Sequence, residues 1–208
     1  MKKVFLVIVA CAFAFIGAYA QNSEVEAVNQ LTKAEQFKLR SSLIKESTIY
    51  EDKSSGMKLY AKLFTDLKSG EQLAALEFWP TLGKALTSGN FTPLGYLDMD
   101  KIDDLLLALE TILTEYNNTD KKEACSITYT SPGGIDASYY SNFVASSLSF
   151  SGGPAVVFRK KWFKIDEYGT QTAIYSEGTT NCPIKSLPKL IDSIKEAQAI
   201  ANKALEKK

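Results

Sequence analysis

The chain has 208 residues, 24 of them basic and 24 acidic, and it contains no histidine. A Ser–His or Cys–His catalytic couple and a His-ligated zinc site are therefore excluded. Charge is balanced, no basic cluster is present and Arg40 and Arg159 are the only arginines, so nucleic acid is not an expected partner. No phosphate-binding glycine motif occurs, and we expect no cofactor.

Residues 1–20 have the pattern of a secretory signal peptide. A positive n-region is followed by the apolar run Val4–Gly17 and by an A-x-A cleavage site at Ala18-Tyr19-Ala20. The pattern predicts export to the periplasm or the extracellular space, with a mature start at Gln21 and no transmembrane segment after cleavage. Cys11 could instead be a lipid-attachment site, but the apolar run continues well past it, so we favour cleavage.

The first part of the remaining chain (41–116) predicts strands followed by a long helix. Before it, the capping-box sequence Thr32-Lys33-Ala34-Glu35 predicts a short helix over 33–40. Alternation and turn signals predict four strands, at Ser42–Tyr50, Met57–Leu67, Gln72–Trp79 and Phe91–Asp98. Helical spacing of apolar residues within Tyr96–Tyr116 predicts the helix. We expect the acids at its start to cap it or to stabilise its dipole, namely Asp98, Asp100, Asp103 and Asp104.

The second part (124–206) repeats that order of elements. Strands are predicted at Ala124–Thr130, Ser138–Phe150, Ala155–Ile165 and Thr170–Ser176, and a loop containing Cys182 precedes a helix at Leu187–Leu205. Short connections favour antiparallel pairing. We predict a single α+β domain over residues 21–208, in which two long helices cover an antiparallel sheet of about seven or eight strands. The alternative is a curved sheet that approaches a half-barrel.

Two cysteines remain after the predicted cleavage site, Cys125 and Cys182. In an exported protein such a pair allows a disulfide. The alternative is two separate buried thiols, because cysteine packs like a small apolar residue.

Carboxylates are the remaining candidates for catalysis. Glu77 stands beside Phe78 and Trp79 on a predicted strand, and with Asp98 it is the best available acid for a glycan hydrolase. The ordinary interpretation of Glu77 is a solvent-facing residue of an alternating strand. The acids around Asp98 could alternatively bind Ca²⁺, but their spacing does not match an EF-hand loop.

Aromatic side chains are the other functional signal. The candidates for a binding surface are Trp79, Tyr139, Tyr140, Trp162 and Tyr175. Alternation along a strand places about half of such residues on the face away from the core. Core packing explains aromatic strand residues equally well.

These observations lead to three functional hypotheses. The first is a non-catalytic exported protein of the bacterial envelope that binds an unknown protein or small ligand through a sheet face or edge. The second is a carboxylate-dependent hydrolase of envelope glycans or polymers. The third is a carrier that encloses a small apolar molecule.

Overall fold

The computed structural model describes residues 31–53, 57–80, 93–118, 125–131, 134–140, 154–165 and 171–207. For 161–165 and 171–179 it describes the backbone alone. The predicted signal peptide, its cleavage site and Cys11 lie outside these residues. Within the described part, none of the helices has both the length and the apolar composition needed to cross a bilayer.

The described chain contains eight strands and three α-helices. The helices are α1 (Lys33–Arg40), α2 (Ile102–Asn118) and α3 (Leu187–Leu205). The strands are β1 (Ile44–Asp52), β2 (Met57–Asp66), β3 (Gln72–Pro80), β4 (Gly95–Asp98), β5 (Ser126–Thr130), β6 (Ile135–Tyr140), β7 (Ala155–Ile165) and β8 (Gln171–Pro183). One turn of 3₁₀-helix precedes each long helix, at Met99–Lys101 and at Ile184–Ser186.

The strands form two antiparallel sheets of four strands each, in the orders β1-β2-β3-β4 and β5-β6-β7-β8. The predicted α+β class, the number of strands and the two long helices are confirmed. The prediction of one sheet is wrong, and the two sheets are not closed into a barrel. Each sheet is a simple meander that is followed in the chain by a long helix.

Each long helix packs mainly on the sheet from the other part of the chain. Helix α3, which follows the second sheet, lies against β1, β2 and β3. Helix α2, which follows the first sheet, lies against β5 and against α3. Two polar contacts join the helices: Lys195 pairs with Glu110 at 2.7 Å, and Gln198 donates to Asp103 at 2.9 Å. The two parts of the chain are therefore interlocked.

One hydrophobic cluster joins both sheets and both long helices. Leu59 and Phe78 contribute from the first sheet, Ile135 and Phe158 from the second, and the apolar stripe of α3 belongs to the same cluster. Phe78 stacks on Phe158 with ring centroids 6.2 Å apart and an interplanar angle of 15°. The alternation predicted for β2 is confirmed, since Met57, Leu59 and Ala61 are buried while Lys58, Tyr60 and Lys62 are not fully buried.

The β2–β3 hairpin follows the turn chemistry expected from its sequence. Gly70 has a φ of 74°, which glycine adopts without steric cost. The Asp66 carboxylate accepts hydrogen bonds from the backbone N–H groups of Lys68 and Ser69, at 2.7 and 3.1 Å. These contacts fix the register that sets which side chains of β2 and β3 share a face.

The region of Cys182 differs from its prediction. Strand β8 extends to Pro183, so Cys182 lies in a strand and not in a loop. Cys182 is buried and Cys125 is half-buried, and the disulfide that the sequence allowed between them is not formed. The reason is topological. Cys125 precedes β5 and Cys182 is on β8, at opposite edges of the second sheet, and about 14 Å separates edges that are three strand spacings apart. A disulfide needs Cα atoms within about 7 Å.

Candidate functional site

Helix α1 lies on the face of the first sheet that points away from α3. Ala34 and Phe37 of the helix pack on Phe64, Ala75 and Tyr96 of that sheet. The predicted capping box is present: Thr32 Oγ1 accepts from the Glu35 N–H at 3.2 Å, and the Glu35 carboxylate accepts from the Thr32 N–H at 2.9 Å. The helix therefore starts where the sequence predicts, and it covers one part of this face.

Asp98 caps α1 and not the helix that follows it in the chain. Its carboxylate accepts hydrogen bonds from the backbone N–H groups of Lys33 and Ala34, at 2.8 and 3.2 Å. Burial raises the pKa of Asp98 above its usual value, and the two N–H donors oppose that rise. The expected capping of α2 by Asp98 is thus wrong, although Asp103 and Asp104 do lie in the first turn of α2.

The other acids near Asp98 also have separate partners. Asp100 pairs with Lys33 at 3.0 Å, and Asp103 accepts from Gln198. Within the described ranges, no three acidic or cysteine side chains lie close enough together to hold a metal ion. These acids are close in the sequence but have partners on different helices: Asp98 and Asp100 contact Lys33 of α1, and Asp103 contacts Gln198 of α3.

Beside α1, the same face of the first sheet forms the candidate site. We call Tyr60, Lys62, Glu77 and Trp79 the outer site. Backbone pairing sets Tyr60 opposite Glu77 and Lys58 opposite Trp79, so these side chains share the face that points away from α3. Glu77 is 4% exposed. We expected Glu77 to face solvent, and this expectation is wrong because the residue is almost fully buried. Glu77 does lie on the face of the sheet that points away from the main core.

Lys62 compensates the buried charge of Glu77. Its ammonium lies 3.5 Å from Glu77 Oε2 and 3.1 Å from Glu46 Oε1. Lys38 of α1 continues the chain of contacts, with Nζ 3.2 Å from Glu46 Oε2 and a 3.0 Å hydrogen bond to the Tyr96 hydroxyl. Two ammonium groups thus alternate with two carboxylates, and their formal charges cancel.

The pKa shifts in this network have opposing causes. Burial lowers the pKa of Lys62, but hydrogen bonding to Glu46 and the nearby Glu77 charge outweigh burial and leave the pKa raised. Burial raises the pKa of Glu46, but hydrogen bonds from Lys62 and Lys38 outweigh it and leave the pKa lowered. The ion pairs therefore keep Lys62 and Glu46 in their charged forms at neutral pH.

The aromatic part of the outer site consists of Tyr60 and Trp79. Their ring centroids are 6.4 Å apart and the rings meet edge to face at 80°. The Lys62 ammonium also lies over the Tyr60 ring, 5.4 Å from its centroid. The Trp79 indole nitrogen, Nε1, is buried and has no hydrogen-bond partner in the described part of the chain. A buried donor without an acceptor is unfavourable, so its position calls for an explanation.

The five aromatic residues predicted from the sequence are divided between the two sheets. Trp79 lies on the first sheet, and the other four lie on the second. Tyr139 is 3% exposed and belongs to the core, while Tyr140 is 42% exposed. In the backbone register, Trp162 pairs with Ile174 and Tyr175 pairs with Lys161; their side chains lie outside what the structure describes.

Tyr60 and Lys62 are the outer-site residues that sequence reasoning missed. The usable signal was the combination of alternation and register. The β2–β3 turn sets Tyr60 opposite Glu77. A residue one position from the predicted core residues Leu59 and Ala61 lies on the opposite face of β2, so Tyr60 could have been placed beside the candidate acid.

A second polar cluster lies on the second sheet. Asp136 is 1% exposed, and its carboxylate accepts from Arg159 Nε at 3.0 Å, from Thr130 Oγ1 at 2.7 Å and from Ser138 Oγ at 3.3 Å. These contacts satisfy the buried charge. We therefore assign this cluster a structural role.

No protein-family model, curated protein or solved structure matches this chain. Its functional interpretation accordingly depends on the geometry described above.

Proposed function

We propose that this protein is a non-catalytic, exported binding protein of the bacterial envelope, and that it binds its ligand on the outer site of the first sheet. The observation that supports this most directly is the placement of Trp79 and Tyr60 next to the compensated charges of Lys62 and Glu77. Binding sites combine aromatic surface with a few fixed polar groups in this way. Export is inferred from the sequence pattern of residues 1–20.

A sheet face is a better candidate than a sheet edge. The edge strand β1 carries charged side chains and has an irregular register between Thr48 and Tyr50, two devices that discourage strand addition. The opposite edge, β4, has only four residues. Neither edge of the first sheet offers a long regular strand for a partner to extend.

The geometry favours binding over hydrolysis. A general acid in a glycoside hydrolase needs a raised pKa. Lys62 pairs with Glu77 at 3.5 Å, so the Glu77 carboxylate is already engaged in an ion pair. Hydrogen bonds from Lys62 and Lys38 outweigh burial and leave the pKa of Glu46 lowered. Asp98 has a raised pKa, but the N–H groups of α1 occupy both of its oxygens.

An enclosed apolar ligand is also less favoured. The two sheets meet through the stacked rings of Phe78 and Phe158, so side chains occupy the position where a carrier would hold its cargo. The polar outer site is poorly suited to a wholly apolar molecule, because such a ligand would leave Lys62 and Glu77 desolvated without new partners.

Native mass spectrometry of the protein purified from its own envelope tests this proposal. We expect a stoichiometric ligand or partner that is retained by the wild-type protein and lost from a Tyr60→Ala, Trp79→Ala variant. Tyr140→Ala is the matched control, since Tyr140 is an exposed aromatic residue on the second sheet, and it should retain the ligand. Equal retention by all three proteins would contradict the site.

The hydrolase alternative has its own readout. If the protein turned over an envelope polymer and Glu77→Gln abolished that turnover, the non-catalytic proposal would be refuted. The mass of the mature chain checks the predicted start at Gln21 and the absence of a lipid on Cys11 in the same experiment.

A further inference from the structure

The β5 edge of the second sheet is open to a further strand. Strand β5 pairs with β6 along one side, and within the part of the chain that the structure describes no strand pairs with its other side. Helix α2 lies on the core face of β5, where the Tyr129 hydroxyl donates to the Lys101 carbonyl at 3.1 Å. The opposite face carries three exposed hydroxyl residues, namely Ser126, Thr128 and Thr130.

The backbone pairing shows which groups of β5 point outward. At the end of the β5–β6 hairpin, the Ser131 N–H donates to the Ile135 carbonyl at 3.3 Å, so these two residues form a hydrogen-bonded pair. Hydrogen-bonded and non-hydrogen-bonded pairs alternate along an antiparallel ladder. The N–H and C=O groups of Ser126, Thr128 and Thr130 therefore point away from β6. Among the described residues, none bonds to these backbone groups.

The other described sheet edges are protected against strand addition. Strand β1 carries charged side chains and has an irregular register, and β4 has only four residues. Strand β8 lies against β2 and β3 of the first sheet. Strand β5 has the sequence SITYT, without charge or proline, and its register with β6 is regular. It lacks the devices by which proteins usually prevent edge-to-edge pairing.

Strand β5 is complementary to a second copy of itself. Antiparallel pairing centred on Thr128 sets Ser126 opposite the partner's Thr130, so that each outward N–H group meets an outward C=O group. On the core face, the same register sets Ile127 opposite the partner's Tyr129, which is a favourable pair of a β-branched and an aromatic side chain. On the other face, it brings hydroxyl groups together. No charged side chain of β5 meets a like charge, because the strand has none.

We propose that this protein forms a symmetric dimer through β5, in which the second sheets of two copies join into one antiparallel sheet of eight strands. The two-fold axis passes between the two copies of Thr128, so the contact is closed and does not continue into a fibre. The self-complementary register favours a second copy over an extended peptide of another protein. This interface is independent of the outer site, which lies on the first sheet.

Sedimentation velocity of the mature chain tests the proposal. We expect a reversible monomer–dimer equilibrium, with the dimer fraction rising as the concentration is raised to about 0.5 mM. Thr128→Lys sets two ammonium groups opposite each other at the axis, and it should weaken dimerisation at least about tenfold. Thr128 is exposed, so the circular dichroism of the monomer should not change.

Ser42→Lys is the matched control for charge. Ser42 is exposed beside the edge strand β1 of the first sheet, and this variant should dimerise like the wild type. A chain that stays monomeric over the whole concentration range would overturn the proposal. A dimer that Thr128→Lys and Ser42→Lys leave equally stable would also overturn it, since the contact would then lie elsewhere.

Cysteine cross-linking tests the register. The two copies of Thr128 would have Cα atoms about 5.5 Å apart, which a disulfide can span. In a Cys125→Ser background, Thr128→Cys should therefore give a disulfide-linked dimer on mild oxidation. Ser126→Cys should not, because its two copies would be about 13 Å apart along the paired strands. Equal cross-linking of the two variants, or none from Thr128→Cys, would contradict pairing about Thr128.

The outer site gives an independent check. The Tyr60→Ala, Trp79→Ala variant should dimerise like the wild type, because both residues lie on the first sheet. Loss of the dimer from this variant would place the contact at the outer site and overturn pairing through β5. Thr128→Lys should retain any species bound at the outer site, so failure of the dimer and failure of the proposed function are distinguishable.

Discussion

The carboxylate of Asp98 accepts a 2.8 Å hydrogen bond from the backbone N–H of Lys33, which lies 65 residues earlier in the chain. Helix α1 has eight residues and buries only Ala34 and Phe37, and a helix of that length is marginal by itself. The cap therefore joins the end of β4 to the start of α1 and holds the helix beside the outer site.

Removal of this cap should loosen α1. We expect Asp98→Ala to lower the free energy of unfolding by about 1 kcal/mol and to increase amide hydrogen exchange over residues 33–40. Asp98→Asn should cost less, because an amide oxygen can still accept one of the two N–H groups. Unchanged exchange in α1 after Asp98→Ala would contradict this assignment.

The raised pKa of Asp98 sets the sign of a pH effect. Because the folded-state pKa lies above the ordinary value of 3.8, the folded protein binds the proton more tightly than the unfolded chain does. The contribution of Asp98 to stability therefore falls as the pH rises from 3.8 through the folded-state pKa. Asp98→Asn should remove this dependence from the stability–pH curve.

Lys62 should be essential for stability only while Glu77 is present. Lys62→Met leaves a nearly buried carboxylate without its cation, and we expect a loss of about 3 kcal/mol in urea unfolding at pH 7. The double variant Lys62→Met, Glu77→Leu replaces the pair with apolar groups and should recover most of that loss. If the double variant were no more stable than Lys62→Met, the pairing would not be the cause.

Glu46 should make the protein sensitive to acid. Its folded-state pKa is lowered below 4.5, so its contribution to stability is present above that pH and is lost as the pH falls through the lowered value. We expect Glu46→Gln to flatten the stability–pH curve between about pH 5 and pH 3. Thermal melts across that range would test this, with Glu71→Gln as a surface ion-pair control.

The contact between the sheets should dominate core stability. Phe158 is fully buried against Phe78, and Phe158→Ala should cost about 3–5 kcal/mol. Leu107 is 66% exposed on α2, so Leu107→Ala should change the free energy of unfolding by less than about 0.5 kcal/mol. Similar losses for the two variants would mean that the two sheets do not share one core.

The thiols should be reduced and differ in accessibility. Burial raises the pKa of Cys182 to about 12, so iodoacetamide at pH 8 should modify it only after unfolding. Reducing agent should leave the melting temperature unchanged, because no disulfide joins Cys125 to Cys182. A mass lower by two hydrogens under non-reducing conditions would show that a disulfide had formed.

Local patterns predicted most elements of this protein. Helical spacing predicted α2 and α3, alternation predicted β2 and β3, and the turn from Asp66 to Gly70 specified their register. The short helix over 33–40 followed from its capping box, which is a contact between residues three apart. Such features depend on neighbours in the chain, so the sequence contains the information directly.

Contacts between distant residues were the ones that sequence reasoning misjudged. Asp98 precedes α2 in the chain, but its carboxylate meets α1, because the end of β4 lies against that helix. The sequence left open whether Cys125 and Cys182 form a disulfide, and two strands separate the edges on which they lie. Sequence adjacency does not show which surfaces meet.

The sequence by itself determined the α+β class, the order of elements and the absence of histidine chemistry, and it offered Trp79 as one of five aromatic candidates. Only the tertiary structure decided that the strands form two sheets with exchanged helices, and that Lys62, Glu77 and Tyr60 meet beside Trp79. The physical reason is that alternation fixes the face on which a side chain lies, whereas packing between elements fixes what that face meets.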